Sequence, residues 1–148
     1  MAKDITIQIS GTADQGIQIF GDLLAKARHN AGFFVFSVND FESQIRGGHN
    51  SHLLKISGQP LSAPCPVPYM LVNINENHYK YYVNRIHRNG IIIINNETDE
   101  TDMSNIWNIP LDRIAKDSGG QIASNTVTTG LILAILGAIA ADCRFFPL

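Results

Sequence analysis

The chain has 148 residues, room for one ordinary domain and not for two. A net charge of −2 and a pI near 6.2 leave no basic footprint for nucleic acid or an anionic membrane surface. Hydrophobic residues make up 45%, which supports a packed core and argues against disorder.

Ile5, Ile7 and Ile9 alternate with polar residues and predict a strand of period two. Gly11 and Gly16 bound the turn that follows, where positive φ or close backbone approach is expected. Ile17, Phe20, Leu23, Leu24 and Ala27 then make an apolar stripe, predicting a helix over Gln15–Ala31 with Gly32 at C′. A strand, a tight loop and a helix N-terminus together gather backbone N–H groups toward an anionic or carbonyl-like ligand. The run Phe33–Val38 is almost wholly apolar and reads as a strand covered on both faces.

Phe41–Ile45 reads as a short turn, Arg46–Ser51 as a polar glycine-rich loop, and His52–Ser57 as a strand. Four prolines between Gly58 and Pro68 rule out a central ladder there. Tyr69–Asn73 returns to strand, and Asn75 is placed to cap a helix over Glu76–Arg88. Ile91–Ile94, four isoleucines in a row, predicts a buried strand. The acidic stretch Asn95–Asn108 reads as a solvated excursion. Pro110 is expected at N1 of a short helix over Leu111–Lys116, ended by Gly119 and Gly120. Ile122 reads as a last short strand, and Ser124 or Asn125 caps an apolar helix over Val127–Ala141. That helix is about fifteen residues where a membrane span needs roughly 20, so it reads as a core or subunit-interface helix. This order predicts a three-layer α/β/α sandwich with a mixed, mostly parallel sheet.

Cys65 and Cys143 are far apart and outside any C-x-x-C spacing, which fits a reduced cytoplasmic protein. The chain enters its first strand at once, so no signal peptide is expected. Its apolar ending, Phe145-Phe146-Pro147-Leu148, reads as a cut inside a longer polypeptide.

Gly11-Thr12-Ala13-Asp14-Gln15-Gly16 supplies the outer glycines of a dinucleotide loop and lacks the middle one. Ala13 obstructs the approach to a pyrophosphate, and Asp14 adds a repelling charge. A small NAD(P)- or flavin-binding module using the Gly11–Gly16 loop is carried as the alternative reading. In Arg46-Gly47-Gly48-His49, arginine could clamp a carboxylate or phosphate bidentately and histidine could move a proton. Read by itself, the stretch is equally a structural turn whose Arg46 pairs with an acid of its own chain or of a partner subunit. His49 and His52, three apart, would face opposite ways on a strand, so no metal site is expected. His29, His78 and His87 fall in helix patterns, and neither cysteine nor any serine has a nucleophile's context. No catalytic residue is assigned.

Taken together, these residues resemble the gamma domain of the 2-oxoacid:ferredoxin (or flavodoxin) oxidoreductases, the enzymes of pyruvate, 2-oxoglutarate, branched-chain 2-oxoacids and indolepyruvate. Ile7–Gly21 is similar to that domain's opening strand, G-x-x-G-Q-G loop and helix, and Ser43–Ser57 to its R-G-G-H/S stretch and next strand. Tyr69–Asn73 and Asn89–Ile94 resemble two further strands, and Ile109–Ala115 and Ser124–Leu136 resemble its I-P-x-x-x-I-A and A-N-x-x-x-L-G segments. Asp14 replaces a usual glycine, and Phe20 stands where a small residue is common.

The resemblance implies one gamma-type domain over residues 1–148, truncated at its C-terminus, acting as a subunit of a cytoplasmic complex. Such a complex oxidatively decarboxylates a 2-oxoacid on thiamine diphosphate with magnesium. It passes electrons through iron–sulfur clusters to ferredoxin or flavodoxin and transfers the acyl group to coenzyme A. Alpha and beta subunits are the implied partners and hold most of these groups, with none held by this chain alone. The R-G-G-H-N form leans toward 2-oxoglutarate enzymes. Gly11, Gln15, Gly16, Arg46, Gly47, Gly48 and His49 are the implied functional surface, two loops at one edge of the sheet, meeting a partner subunit or coenzyme A.

Overall fold

The computed structural model describes residues 4–12, 16–41, 49–61, 67–75, 79–98, 103–120 and 123–141. Among them, six strands form one sheet in the order β2-β3-β1-β4-β5-β6. The strands are β1 Ile5–Thr12, β2 Phe34–Phe41, β3 His49–Ser57, β4 Met70–Asn73, β5 Ile91–Asn95 and β6 Ile106–Ile109. The helices are α1 Ile17–Asn30, α2 Tyr79–Tyr82 with a 3₁₀ turn over Val83–Arg85, α3 Leu111–Gly119 and α4 Ser124–Ala141. β1, β4, β5 and β6 are mutually parallel, and β3 runs antiparallel to both β1 and β2. The expected mixed, mostly parallel sheet is therefore present.

The period-two pattern sorts the core onto two faces. Ile5, Ile7 and Ile9 of β1 join Leu54, Ile56, Met70, Val72 and Ile93 beneath Ile17, Phe20 and Leu24 of α1 and Ile132 and Leu136 of α4. Leu71, Ile92, Ile94 and Ile106 pack on the other face with Tyr82, Val83 and Ile86. Each fully buried aliphatic side chain contributes roughly 1.5–3 kcal/mol of transfer free energy, so β1, apolar on one face and flanked on both edges, anchors the sheet. Beyond Ile5 the end of the β1–β3 ladder is pinned by Asp4, whose Oδ2 lies 3.0 Å from Lys55 Nζ. A hydrogen bond from Ser57 and then the Lys55 ammonium hold the Asp4 carboxyl below its ordinary value.

Several expectations need correction. β2 is the edge strand of the sheet, with Phe34, Phe36 and Val38 exposed, where a strand covered on both faces was expected. An apolar run has the same pattern whether its outer face meets the core or is left open. Gly11 lies inside β1, buried and opposite Asn50, because the antiparallel partner carries the ladder past the expected turn. The excursion over Asn95–Asn108 contains β6, which Ile106 anchors against Ile92 through parallel pairing. The helix expected over Glu76–Arg88 is a single turn and a 3₁₀ turn that stops where Ile86 turns extended, at φ −86 and ψ 154. Its expected start and Ile122 lie outside the described residues. Pro110 precedes α3 as its N-cap and accepts the Ile114 N–H at 3.0 Å, so it stands one place before N1. Gly32 follows α1 at φ 88, in the place the sequence assigned. Among the described residues no single helix is long and apolar enough to cross a membrane.

Candidate functional site

Because β1, β4, β5 and β6 are parallel and β2 shares their direction, their carboxyl ends meet at one edge, beside the start of β3. In open α/β sheets ligands bind outside the carboxyl ends of the strands. The residue types at that edge are short and polar. Ser10 Oγ, buried in β1, donates to Asn73 Oδ1 at 3.3 Å, and the Asn75 backbone N–H donates to the same oxygen at 3.3 Å. Asn95 Nδ2 donates to the Ile74 carbonyl at 3.2 Å, and Asn95 Oδ1 accepts the Asp112 N–H at 3.3 Å. These asparagines fix the strand ends, so the chemistry open to a ligand lies further along the edge.

It lies where β1 meets the β2–β3 hairpin. In the register, Gly11 faces Asn50 and Thr12 faces His49, while Phe41 faces Asn50 from the other side. β1 and β2 therefore end, and β3 begins, at the same end of the sheet. Of the expected surface, the structure places Gly11 within β1, Gly16 at the start of α1 and the His49 backbone at the start of β3. Gln15, Arg46, Gly47 and Gly48 lie outside the described residues.

Gly16 caps α1 in the left-handed region at φ 67, ψ 28, the conformation glycine adopts at least cost. Its carbonyl accepts the Ile19 N–H at 2.9 Å, and among the described residues no side chain caps the helix. The first-turn N–H groups of a helix have no intrahelical acceptor, and with the helix dipole they favour an anion. A Cβ on Gly16 would come 3.1 Å from Asn125 Nδ2, so the first turn of α4 closes on the first turn of α1. Between α1 and the ends of β2 and β3 lies a cleft of about 240 Å³, lined by Gly16, Ile17, Gln18, Ile19, Asn39, Asn50 and Ser51. Asn39 and Ser51 escaped the sequence reading, because only the hairpin register brings them beside Gly16. The available signal was the cluster of small polar residues at predicted strand ends.

Behind the cleft, His52 of β3 is buried and pairs in register with Ile9 and Asn39. Among the described residues neither ring nitrogen has a hydrogen-bond partner. Burial pushes its pKa below the ordinary histidine value, with Asp22 acting weakly the other way. The ring sits against Gly21 of α1, where any Cβ would collide with it. His52 is thus a neutral spacer that sets how closely α1 approaches the sheet. Among the described residues no group of three His, Cys, Asp or Glu is placed to hold a metal ion.

A family model described as pyruvate ferredoxin/flavodoxin oxidoreductase matches residues 6–142. The ketoisovalerate oxidoreductase subunit VorA of Methanothermobacter marburgensis is 27% identical over 97% of this chain and 31% of its own length. The 2-oxoglutarate synthase subunit KorC of Methanocaldococcus jannaschii is 24% identical over 92% of this chain and 77% of its own. The chain therefore spans under a third of one relative and about three quarters of the other. Among solved structures, pyruvate oxidoreductase subunit PORC of Thermotoga maritima superposes with a TM-score of 0.75 at 22% identity, covering 91% of this chain and 78% of PORC. The gamma subunit of the keto/oxoacid ferredoxin oxidoreductase of Geobacter sulfurreducens gives 0.75 at 21%, covering 92% and 78%. The 2-oxoglutarate:ferredoxin oxidoreductase of Magnetococcus marinus, solved with 2-oxoglutarate, coenzyme A and succinyl-CoA bound, gives 0.72 at 21%, covering 84% of this chain and 23% of that one. At these identities the likeness to solved structures carries the fold.

Proposed function

The chain belongs to the pyruvate ferredoxin/flavodoxin oxidoreductase family, and on that premise we propose that it is the gamma-type component of a multi-subunit 2-oxoacid:ferredoxin oxidoreductase. In this reading the complex converts a 2-oxoacid, with 2-oxoglutarate the favoured candidate, to its acyl-coenzyme A in the cytoplasm. The single supporting observation from the geometry is the β1–β3 register, in which the end of β1 and the start of β3 lie side by side at the end of the sheet where α1 begins. The residues proposed to act there are Gln15 and Gly16, which follow β1 in the chain, and Arg46, Gly47, Gly48 and His49, which lead into β3; Gly11 itself is buried in the β1 ladder. Companion alpha and beta subunits dock against this end of the sheet.

The residues suit part of coenzyme A. The α1 N–H groups favour a phosphate, Asn39, Asn50 and Ser51 offer neutral hydrogen-bonding groups, and Arg46 brings a cation in the adjoining loop. A cleft of about 240 Å³ takes a phosphate-bearing fragment of that molecule, so companion subunits hold the remainder. When bound, coenzyme A supplies the thiol that accepts the acyl group; this chain's part is to bind and orient. Thiamine diphosphate with its magnesium finds no carboxylate cluster among the described residues. A cysteine-ligated iron–sulfur cluster needs four thiolates, and the chain has two cysteines. Those groups, and the contact with ferredoxin, fall to the companions.

In the assembled complex, Arg46→Ala is expected to raise the coenzyme A KM roughly tenfold, the worth of one charge-assisted hydrogen bond. Subunit stoichiometry and the 2-oxoacid KM stay unchanged. Unaltered coenzyme A KM, kcat and stoichiometry would remove Arg46 from the reading.

A further inference from the structure

The sheet places His52 beside the floor of the cleft. Its register partner on β2 is Asn39, and Asn50 stands two residues before it on the same face of β3. Both asparagines line the cleft, as does Ser51, its neighbour in the chain. From the helix side the ring meets Gly21, one turn after Ile17, which also lines the cleft. The imidazole is 1% exposed, and neither nitrogen has a hydrogen-bond partner among the described residues. Burial holds such a ring neutral. It can still take a proton when a nearby negative charge makes up for the lost hydration.

We infer that His52 is proton-coupled to the cleft: an anion seated beside the first turn of α1 draws a proton onto the imidazole, and the charged ring in turn holds the anion more tightly. Two residues of strand, about 7 Å, separate His52 from Asn50 at the cleft wall. Across such a distance in a half-buried setting, one charge pair changes an equilibrium by roughly tenfold. The effect is reciprocal, so the factor the proton adds to anion affinity is the factor the anion adds to proton affinity. Of the charged groups on α1, Asp22 acts on the ring and favours protonation, while Lys26, Arg28 and His29 lie further along the helix. β1 from Ile5 to Thr12 carries no charge, and on β2 Asp40 pairs in register with Ser51 rather than His52. On β3, Lys55 is engaged with Asp4 and His49 begins the strand. Anion affinity therefore rises as pH falls through the midpoint of the His52 ring. This inference rests on the reading of the cleft as an anion site and adds a proton to its control.

Sulfate titrated into the full chain between about pH 5 and pH 8 tests it, because sulfate keeps both its charges over that range. Nuclear magnetic resonance follows the amides of residues 16–19 and the His52 ring, assigned through bonds to its backbone. Sulfate is expected to shift those amides, to raise the midpoint of the His52 ring, and to bind roughly tenfold more tightly below that midpoint than above it. In His52→Gln the acid-side gain should shrink by that factor; an equal gain in this variant overturns the inference. Should His52→Gln fold poorly, the ring midpoint in the unaltered chain decides the matter. Shifted amides with an unmoved His52 midpoint overturn the coupling and leave the anion site standing. Amides unmoved by sulfate at every pH overturn both.

Discussion

Gly21→Ala is expected to lower stability by about 3 kcal/mol, although the same change in an open helix gains about 1 kcal/mol in propensity. The added methyl would collide with the ring of His52, which is buried between α1 and the sheet. Relief requires either the ring to leave its rotamer or α1 to lift from β3. Lifting the helix would also loosen Phe20 and Leu24 from the core they share with Ile7, Ile9 and Leu54. The clash belongs to a pair of residues, so the two substitutions should be non-additive. In Gly21→Ala/His52→Ala the methyl enters the space the ring vacates, and the coupling measured from urea midpoints should exceed about 1 kcal/mol. Additive losses would show that Gly21 serves some other purpose.

The same ring gives a pH signature. Burial lowers the pKa of His52 in the folded state, so near and below about pH 6.5 the unfolded chain binds the proton more readily. Stability from this residue is present above the unfolded value and is lost as pH falls below it, toward the depressed folded value. In His52→Ala that portion of the acid-side decline disappears. A decline of equal slope in the variant would assign it to other groups.

The largest single loss is expected from Gly90→Ala, about 4 kcal/mol, because the obstacle there is backbone. A Cβ on Gly90 would lie 2.7 Å from the Tyr69 carbonyl oxygen, 2.8 Å from that of His87 and 2.6 Å from Ile86 Cγ1. Each neighbour is committed. The Tyr69 carbonyl accepts the Ile91 N–H at 2.9 Å, and that of His87 accepts the Gly90 N–H at 2.7 Å. Asn105 Nδ2 donates to the Gly90 carbonyl at 3.2 Å, tying the approach to β6 to the same junction. A methyl here would push β5 out of register with β4 at its first residue, and β5 carries Ile92, Ile93 and Ile94 into both faces of the core. A thermal melt within about 2 °C of wild type would contradict this account, since 4 kcal/mol in a domain of this size corresponds to a shift of roughly ten degrees or more.

These two glycines also mark what the sequence could convey. The four isoleucines of β5 were legible as a strand because β-branched residues in a short apolar run favour one, and the packing of Ile93 on one face and Ile92 and Ile94 on the other shows it covered on both. The alternation of Ile5, Ile7 and Ile9 was legible because a period of two has one structural meaning. β6 was hidden, since a short strand in a polar stretch is held by its parallel neighbour and Ile106 is its main apolar signal. β2 was seen as a strand, but whether its outer face is open depends on strand order, which local pattern does not encode. In the site, Gly16 was legible as a turn glycine, whereas Gly11 was drawn into the ladder by a partner about forty residues away. The pairing of Gly21 with His52, and the gathering of Asn39, Asn50 and Ser51 beside Gly16, are long-range contacts without a local signature. The family resemblance reached further than the residue pattern, because loop, strand and helix signals had to agree along the whole chain.

The proposed role is that of one component of a coenzyme A-dependent 2-oxoacid oxidoreductase. The most direct test is affinity purification of the chain from its source cell under reducing conditions, with every co-purifying chain identified by mass spectrometry. The account predicts recovery with subunits that bind thiamine diphosphate and iron–sulfur clusters, in fixed stoichiometry and with coenzyme A-dependent 2-oxoacid oxidation in the same fraction. Recovery of the chain without such companions, together with micromolar binding of NAD(P) or a flavin by the isolated chain, would contradict it.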